Sequence, residues 1–186
     1  MVERFRDSMT WPEYFPVLVR CPRCGGCADV RPLDGQAGAS RLSCPDCALL
    51  RTGRGVGLGG GELRLVSGTE GRNWRDVETR VVTTWPVPQD EHYDLWLRTP
   101  CCGTKVLWAT NDGHLTYLED YIGATLRERP EAVISPLGRR WIGRGLSSKL
   151  PEWMKAAKHR DEVIVGLARL RALLPADRVD PDLAAD

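Results

Sequence analysis

No run of the chain reaches the roughly 18 apolar residues that a membrane-spanning helix requires. Its opening residues, Met1 to Asp7, lack the apolar centre of a secretory signal. The expected location is therefore the cytoplasm, a reducing compartment where disulfide frameworks do not persist. Histidine is scarce, and none of His92, His114 and His159 has a serine or cysteine nucleophile placed with it. Asp90, Glu91 and Asp94 cluster near His92, but a polar loop accounts for them better than a hydrolytic site. No Gly-Lys-Ser/Thr ending for a phosphate loop is present. Of the 26 basic residues only Lys105, Lys149, Lys155 and Lys158 are lysines. That bias is what a GC-rich coding sequence would give, and it is not read as a recognition signal. A net charge of +1 excludes a chain that is basic throughout, so the distribution of charge carries more than its sum.

What is present is a chain of 186 residues with seven cysteines. The length suits one ordinary domain, or one with a small appendage, and allows a real hydrophobic core. The cysteines are thus not needed to rescue a tiny scaffold, and in a reducing setting they read as metal ligands and free thiols.

Cys21-Pro-Arg-Cys24-Gly25 and Cys44-Pro-Asp-Cys47 are two Cys-x-x-Cys pairs separated by nineteen residues. A tetrahedral zinc site needs four thiolates around one ion, and each pair supplies two from a single tight turn. The proline after the first cysteine helps set that turn. The intervening segment is long enough for a β-hairpin that brings the pairs together. Cys21, Cys24, Cys44 and Cys47 are therefore expected to hold one structural Zn2+ in a zinc ribbon. Four cysteines leave no position for water, which argues against a zinc hydrolase here. Iron could fill the same cage, with zinc favoured. The competing reading, two redox dithiols, would place each pair at the start of a helix after a strand, which Cys24-Gly25-Gly26 fits poorly. Cys27 could compete as a ligand but reads as a spare thiol. A second metal site at the adjacent Cys101 and Cys102 would need His92 and His114 to complete it, and buried or structural thiols are favoured instead.

The fold class expected is α+β: a zinc ribbon and β-hairpins followed by a three-helix segment. Residues 1–16 form an arm with Trp11, Tyr14 and Phe15; 17–66 the ribbon; 67–110 a loop and hairpin; 111–175 the helices; 176–186 an acidic, disordered tail. Gly55-x-Gly57-x-x-Gly60 matches a dinucleotide-binding pattern literally but lacks the strand-to-helix context, and reads as a hairpin tip. Strands are expected at 94–98 and 105–109, joined by a turn through Thr99-Pro100-Cys101-Cys102-Gly103. Asn111 or Asp112 caps a first helix whose apolar face is Leu115, Leu118, Ile122 and Leu126, ending before Pro130. A second helix runs from about Ser147 to Lys158. A third carries Val163, Ile164, Leu167 and Leu170 and stops at Pro175.

Residues 139–160 gather Arg139, Arg140, Arg144, Lys149, Lys155, Lys158 and Arg160 against the lone acid Glu152, with Trp141 and Trp153 interleaved. Cations neutralise phosphates while aromatic rings stack on exposed bases. Arg139, Arg140, Arg144, Lys155, Lys158 and Arg160 are thus candidate nucleic-acid contacts, DNA or RNA. A solvated helix face explains the same residues equally well. The ribbon is itself mildly basic, through Arg20, Arg23, Arg31, Arg41, Arg51 and Arg54. With no catalytic constellation, the function expected is a non-enzymatic nucleic-acid-binding accessory factor. The alternative is a protein–protein adaptor that docks on a larger enzyme or complex.

Leu107-Trp-Ala-Thr-Asn111, His114-Leu-x-Tyr-Leu-Glu-Asp-Tyr121, Ala124-Thr-Leu-Arg-Glu-Arg129, Leu150-Pro-x-Trp-Met-Lys-x-Ala-Lys158 and Arg160-Asp-Glu-Val163 resemble a family of small bacterial zinc-ribbon proteins. The ribbon is of the transcription-factor-IIB type, and the resemblance runs from about Val17 to Leu174. It implies a zinc site and a bacterial cytoplasmic setting, and no activity. Some members are labelled replication-restart-helicase-like through the ribbon alone, and this chain has no nucleotide-binding loop to carry that activity. The Gly53 to Gly61 stretch and the acidic tail depart from the family pattern.

Overall fold

The computed structural model describes residues 4–5, 15–33, 39–54, 65–66, 82–86, 92–124, 126–127, 132–134, 140–142, 147 and 150–178. In chain order the elements are β1 (Arg4–Phe5), β2 (Val17–Arg20), β3 (Cys27–Pro32), β4 (Ala39–Ser43), β5 (Leu50–Arg54), β6 (Leu65–Val66), β7 (Val82–Pro86), β8 (His92–Asp94), β9 (Arg98–Cys101) and β10 (Lys105–Trp108). Then follow α1 (Asp112–Gly123), β11 (Leu126–Arg127), β12 (Ala132–Ile134), β13 (Arg140–Ile142), α2 (Glu152–Lys155) and α3 (Arg160–Leu173). The fold is α+β. Among the described residues no helix is long and apolar enough to cross a membrane.

Strands β2 to β5 form an antiparallel meander in the order β2-β3-β4-β5. Strand side chains alternate between faces, and here both faces of the sheet's first half are covered. Val17 and Val19 join Ala28, Val30, Leu42, Tyr93 and Leu95 in one core, while Leu18 and Cys27 point into a second. That double burial is why β2 reads as an unbroken apolar run. The second core lies between the β9–β10 hairpin and the helices and contains Leu97, Leu107, Leu115, Leu118, Ile122, Leu167 and Leu170.

The two cores share backbone. Leu18 donates its amide to the Thr110 carbonyl (2.7 Å) and accepts from the Trp96 amide (3.0 Å), and Val19 bridges Leu95. At the far end, Arg178 pairs with the buried carboxylate of Asp29 on β3, so the chain is still structured past the expected start of the tail, with a 3-10 turn at Ala176–Arg178.

Helix α1 begins as its sequence dictates. The Asn111 side chain accepts from the His114 amide, and Asp112 sits in the first turn where the helix dipole favours an acid. It ends earlier than the apolar pattern suggests. The backbone turns extended at Ala124, and Leu126 lies in β11, paired in parallel with β1, rather than on the helix. There Phe5 packs edge-on against Tyr117 and Tyr121 at 5.1 and 5.2 Å. Arg160, at the start of α3, donates to the Gly123 and Ala124 carbonyls (2.5 and 3.4 Å) and so occupies the C-terminal end of α1.

Other expectations shift by a few residues. Pro100 stands inside β9 opposite Val106, because the turn moves to Cys102–Thr104; residues 95–97 form a bridge and bend instead. The second helix is only four residues, Glu152–Lys155, since extended backbone at Ala156 breaks it before a 3-10 turn at Ala157–His159. Val163, Leu167 and Leu170 of α3 are buried as expected, whereas Ile164 is 44% exposed. β6 pairs with β7 rather than returning to β5. Arg139, Arg144, Lys149, Gly55–Gly61 and residues 179–186 lie outside the described residues.

Candidate metal centre

Each Cys-x-x-Cys pair sits on a tight turn beside a strand, one between β2 and β3 and the other between β4 and β5. The two turns share a backbone hydrogen bond at the same relative position. The Cys21 amide donates to the Gly26 carbonyl (2.8 Å), and the Cys44 amide donates to the Leu49 carbonyl (2.9 Å). Both turns then require left-handed backbone just after the second cysteine, at Gly25 (φ 77°) and Ala48 (φ 53°). Glycine meets that requirement without strain; alanine does not.

The hairpin β3–β4 carries the two turns to the same end of the sheet. Cys21, Cys24, Cys44 and Cys47 place their sulfurs within 4.8 Å of one another, so this group could hold a metal ion. The Cys21–Cys47 and Cys24–Cys44 sulfur separations are 3.7 and 3.6 Å. Cys21 and Cys44 are buried, Cys47 is half-buried and Cys24 is exposed, which puts the group at the edge of the sheet.

The four thiols shift in different directions. Burial works against ionising Cys21, but amide bonds from Cys24 and Arg23 and the Cys44 and Cys24 thiols outweigh it and bring the thiol down to about 7. Cys44 and Cys47 move up, chiefly through burial. Cys24 accepts the Gly26 amide yet is also raised, by burial and by its neighbours Cys21 and Cys47. One thiolate is thus supported by its surroundings, and a bound cation would offset the repulsion among four.

Cys27 is excluded from the group by strand alternation. It points into the helical core, where burial pushes its thiol up to about 12. Cys101 and Cys102 do not meet His114 either. His114 is fully buried, its Nδ1 lies 3.2 Å from the Thr110 amide and hydroxyl, and burial lowers its pKa to about 3. The two thiols instead meet Glu162 of α3, a partner sixty residues away that no local spacing reveals.

Of the candidate phosphate contacts, three have described side chains, and two of these are engaged within the protein. Arg160 is engaged by α1, and Lys155 pairs with Glu152 at 2.9 Å. Lys158 is exposed, the Arg140 side chain lies outside the described residues, and Arg139 and Arg144 do so entirely. A different basic pair emerges on the four-stranded sheet. Arg31 of β3 and Arg41 of β4 are directly opposite in register, both exposed, on the face that also carries Thr52 and the 64% exposed Leu50. Alternation along β3 and β4 was the signal for this pair.

Comparison with protein families, with characterised proteins and with solved structures returns no match to this chain.

Proposed function

We propose that the chain is a non-enzymatic zinc-ribbon protein that binds nucleic acid through the phosphate backbone. The observation that carries the zinc reading is the spacing of the four sulfurs. Zn–S bonds of ~2.3 Å meeting at the tetrahedral angle give sulfur–sulfur edges of roughly 3.8 Å, and the separations across the two turns are 3.7 and 3.6 Å. Four thiolate donors in that geometry suit zinc. The ion would cross-link the two turns, and with four protein ligands it would activate no water. The resemblance to small bacterial zinc-ribbon proteins belongs to this reading and adds no activity to it.

The nucleic-acid reading rests on Arg31 and Arg41. Like charges directly opposite on a sheet destabilise it, and an anion lying across both removes that cost. Asp29 lies 3.8 Å from Arg31 but is already engaged by Arg178. The test is a fluorescence-anisotropy titration of the zinc-loaded protein against single-stranded DNA, duplex DNA and RNA at low and near-physiological salt. Saturable binding that weakens with salt is expected, with at least a tenfold loss in the Arg31→Glu/Arg41→Glu variant. Unchanged affinity in that variant would remove this face from the interface.

A protein-adaptor role is the second reading, favoured by the exposed apolar residues Leu50 on the sheet and Ile164 and Val165 on α3. Absence of binding to every nucleic acid at low salt, with one stoichiometric protein partner that survives nuclease treatment, would put it first.

A further inference from the structure

The turn between β9 and β10 presents a second group of metal-ligating atoms, remote in sequence from the four-cysteine centre. Cys101 and Cys102 hold their sulfurs 3.2 Å apart, and the Cys102 amide donates to the Glu162 carboxylate in the first turn of α3. The Cys101 sulfur also lies 3.7 Å from the Glu162 carbonyl. Both thiols and the carboxylate come within 4.8 Å of one another.

Two features show that this meeting is built into the fold. Helix α3 rides close to the hairpin because Gly166 has no side chain: a Cβ there would stand 2.8 Å from Leu107 Cδ2 and 3.6 Å from the Cys101 sulfur. Glu162 and Gly166 are one helical turn apart, so the close approach of one sets the height of the other. Secondly, Cys102 adopts left-handed backbone (φ 51°) in a turn where glycine would be unstrained. Strain tolerated at a position that bears a reactive side chain points from geometry to function.

We propose that Cys101, Cys102 and Glu162 form a second, open site for a thiophilic divalent cation of the zinc or cadmium type. The two sulfurs select a soft or borderline ion, and the carboxylate supplies the third ligand. A carboxylate has several lone-pair sites, so accepting the Cys102 amide leaves capacity for an ion. Binding releases one proton from each thiol, so the ion exchanges two protons for two metal–sulfur bonds. Three protein ligands leave a coordination position for solvent on the side where Cys102 is half-buried and Glu162 exposed. The narrow bite of adjacent cysteines makes the site weaker and more exchangeable than the four-cysteine centre. It is thus suited to an ion that comes and goes.

The test is native mass spectrometry of the full chain, purified with a phosphine reductant and titrated with Cd2+, with thiolate-to-cadmium ultraviolet absorption recorded in parallel. The expected result is two ions per chain in the wild type, the second removed first by a mild chelator. The Cys102→Gly variant should hold one ion and melt no lower than the wild type, since glycine suits the turn. Glu162→Gln should keep both thiols yet bind the second ion about tenfold more weakly or worse. A single ion in the wild type overturns the proposal, as does a second ion that survives Cys102→Gly. A 2 Da mass loss without reductant, and no second ion after reduction, would replace it with a disulfide between the adjacent cysteines.

Discussion

Ala48 stands in the second cysteine turn where Gly25 stands in the first, and both hold left-handed backbone, at φ 53° and 77°. The strain of the left-handed region for an L side chain is about 1–2 kcal/mol, and the added chain entropy of glycine returns ~0.4–1 kcal/mol of it. Ala48→Gly is therefore expected to stabilise the metal-loaded protein by about 0.5–1 kcal/mol, a rise in Tm of roughly 1–4 °C. Gly25→Ala should do the reverse. Thermal unfolding followed by circular dichroism decides it, and equal melting of all three proteins would show that the turn carries no such strain.

Arg171 joins α3 to α1 through Asp112, Glu119 and Thr116. The Asp112 side chain is only 5% exposed, so removing the guanidinium takes the opposite charge away from a carboxylate held out of water. Truncation of one partner of a buried pair costs ~3–5 kcal/mol; because Arg171 is 34% exposed, solvent screening reduces this to about 2–3 kcal/mol. Arg171→Met should cost that much in urea unfolding, and Glu119→Gln distinctly less, since Glu119 is itself 33% exposed.

Arg160 and Lys158 are neighbours in a basic run but differ in what they do. Arg160 donates to the last carbonyls of α1, groups that have no partner within the helix. Arg160→Ala is expected to lower stability by about 1–2 kcal/mol through those hydrogen bonds. Exposed Lys158→Ala should change stability by less than about 0.5 kcal/mol. Hydrogen exchange at the C-terminal turn of α1 separates the two, rising in the first variant only.

His114 gives the protein an acid sensitivity of definite sign. Burial lowers its pKa from the ordinary 6.5 to about 3, so the unfolded chain binds a proton that the folded chain refuses. Stability is full above pH 6.5 and falls as pH drops towards 3, by up to ~1.4 kcal/mol per pH unit from this group. Release of a metal from protonated thiols would add a fall in the same direction. Comparison of wild type with His114→Gln at equal metal loading isolates the histidine, and the variant should show the shallower slope. Identical slopes would mean that His114 is already charged in the folded protein.

How much of this was legible in the sequence depends on how local each signal is. The four cysteines that come together, the hairpin between them and the start of α1 at Asn111 all follow from spacing and capping within a few residues. The end of α1 was not legible, because Leu126 continues the apolar face that Leu115, Leu118 and Ile122 begin. What stops the helix lies elsewhere, in the pairing of β11 with β1 and in Arg160 at the last carbonyls. The engagement of Arg160 is hidden for the same reason: a charge run does not disclose that one member donates to a helix end. Glu162 beside Cys101 and Cys102 depends on the close approach allowed by Gly166, and nothing in the hairpin's own sequence announces it. Pro100 signals a turn by composition, yet the turn falls where left-handed Cys102 and Gly103 place it.

The pairing of Asp29 with Arg178 spans 149 positions of the chain. A ribosome adding ~5–20 residues per second needs on the order of ten seconds or more to cover that distance. Throughout that time the Asp29 carboxylate is without Arg178, although Cys27 on the same face can already meet Leu97, Leu107 and Leu115 of the second core. Both cysteine turns lie within residues 21–48 and can come together early, whereas Asp29 on the strand between them waits for Arg178. An ion held by the four cysteines would therefore be an early fastening, and the Asp29–Arg178 pair is a late one.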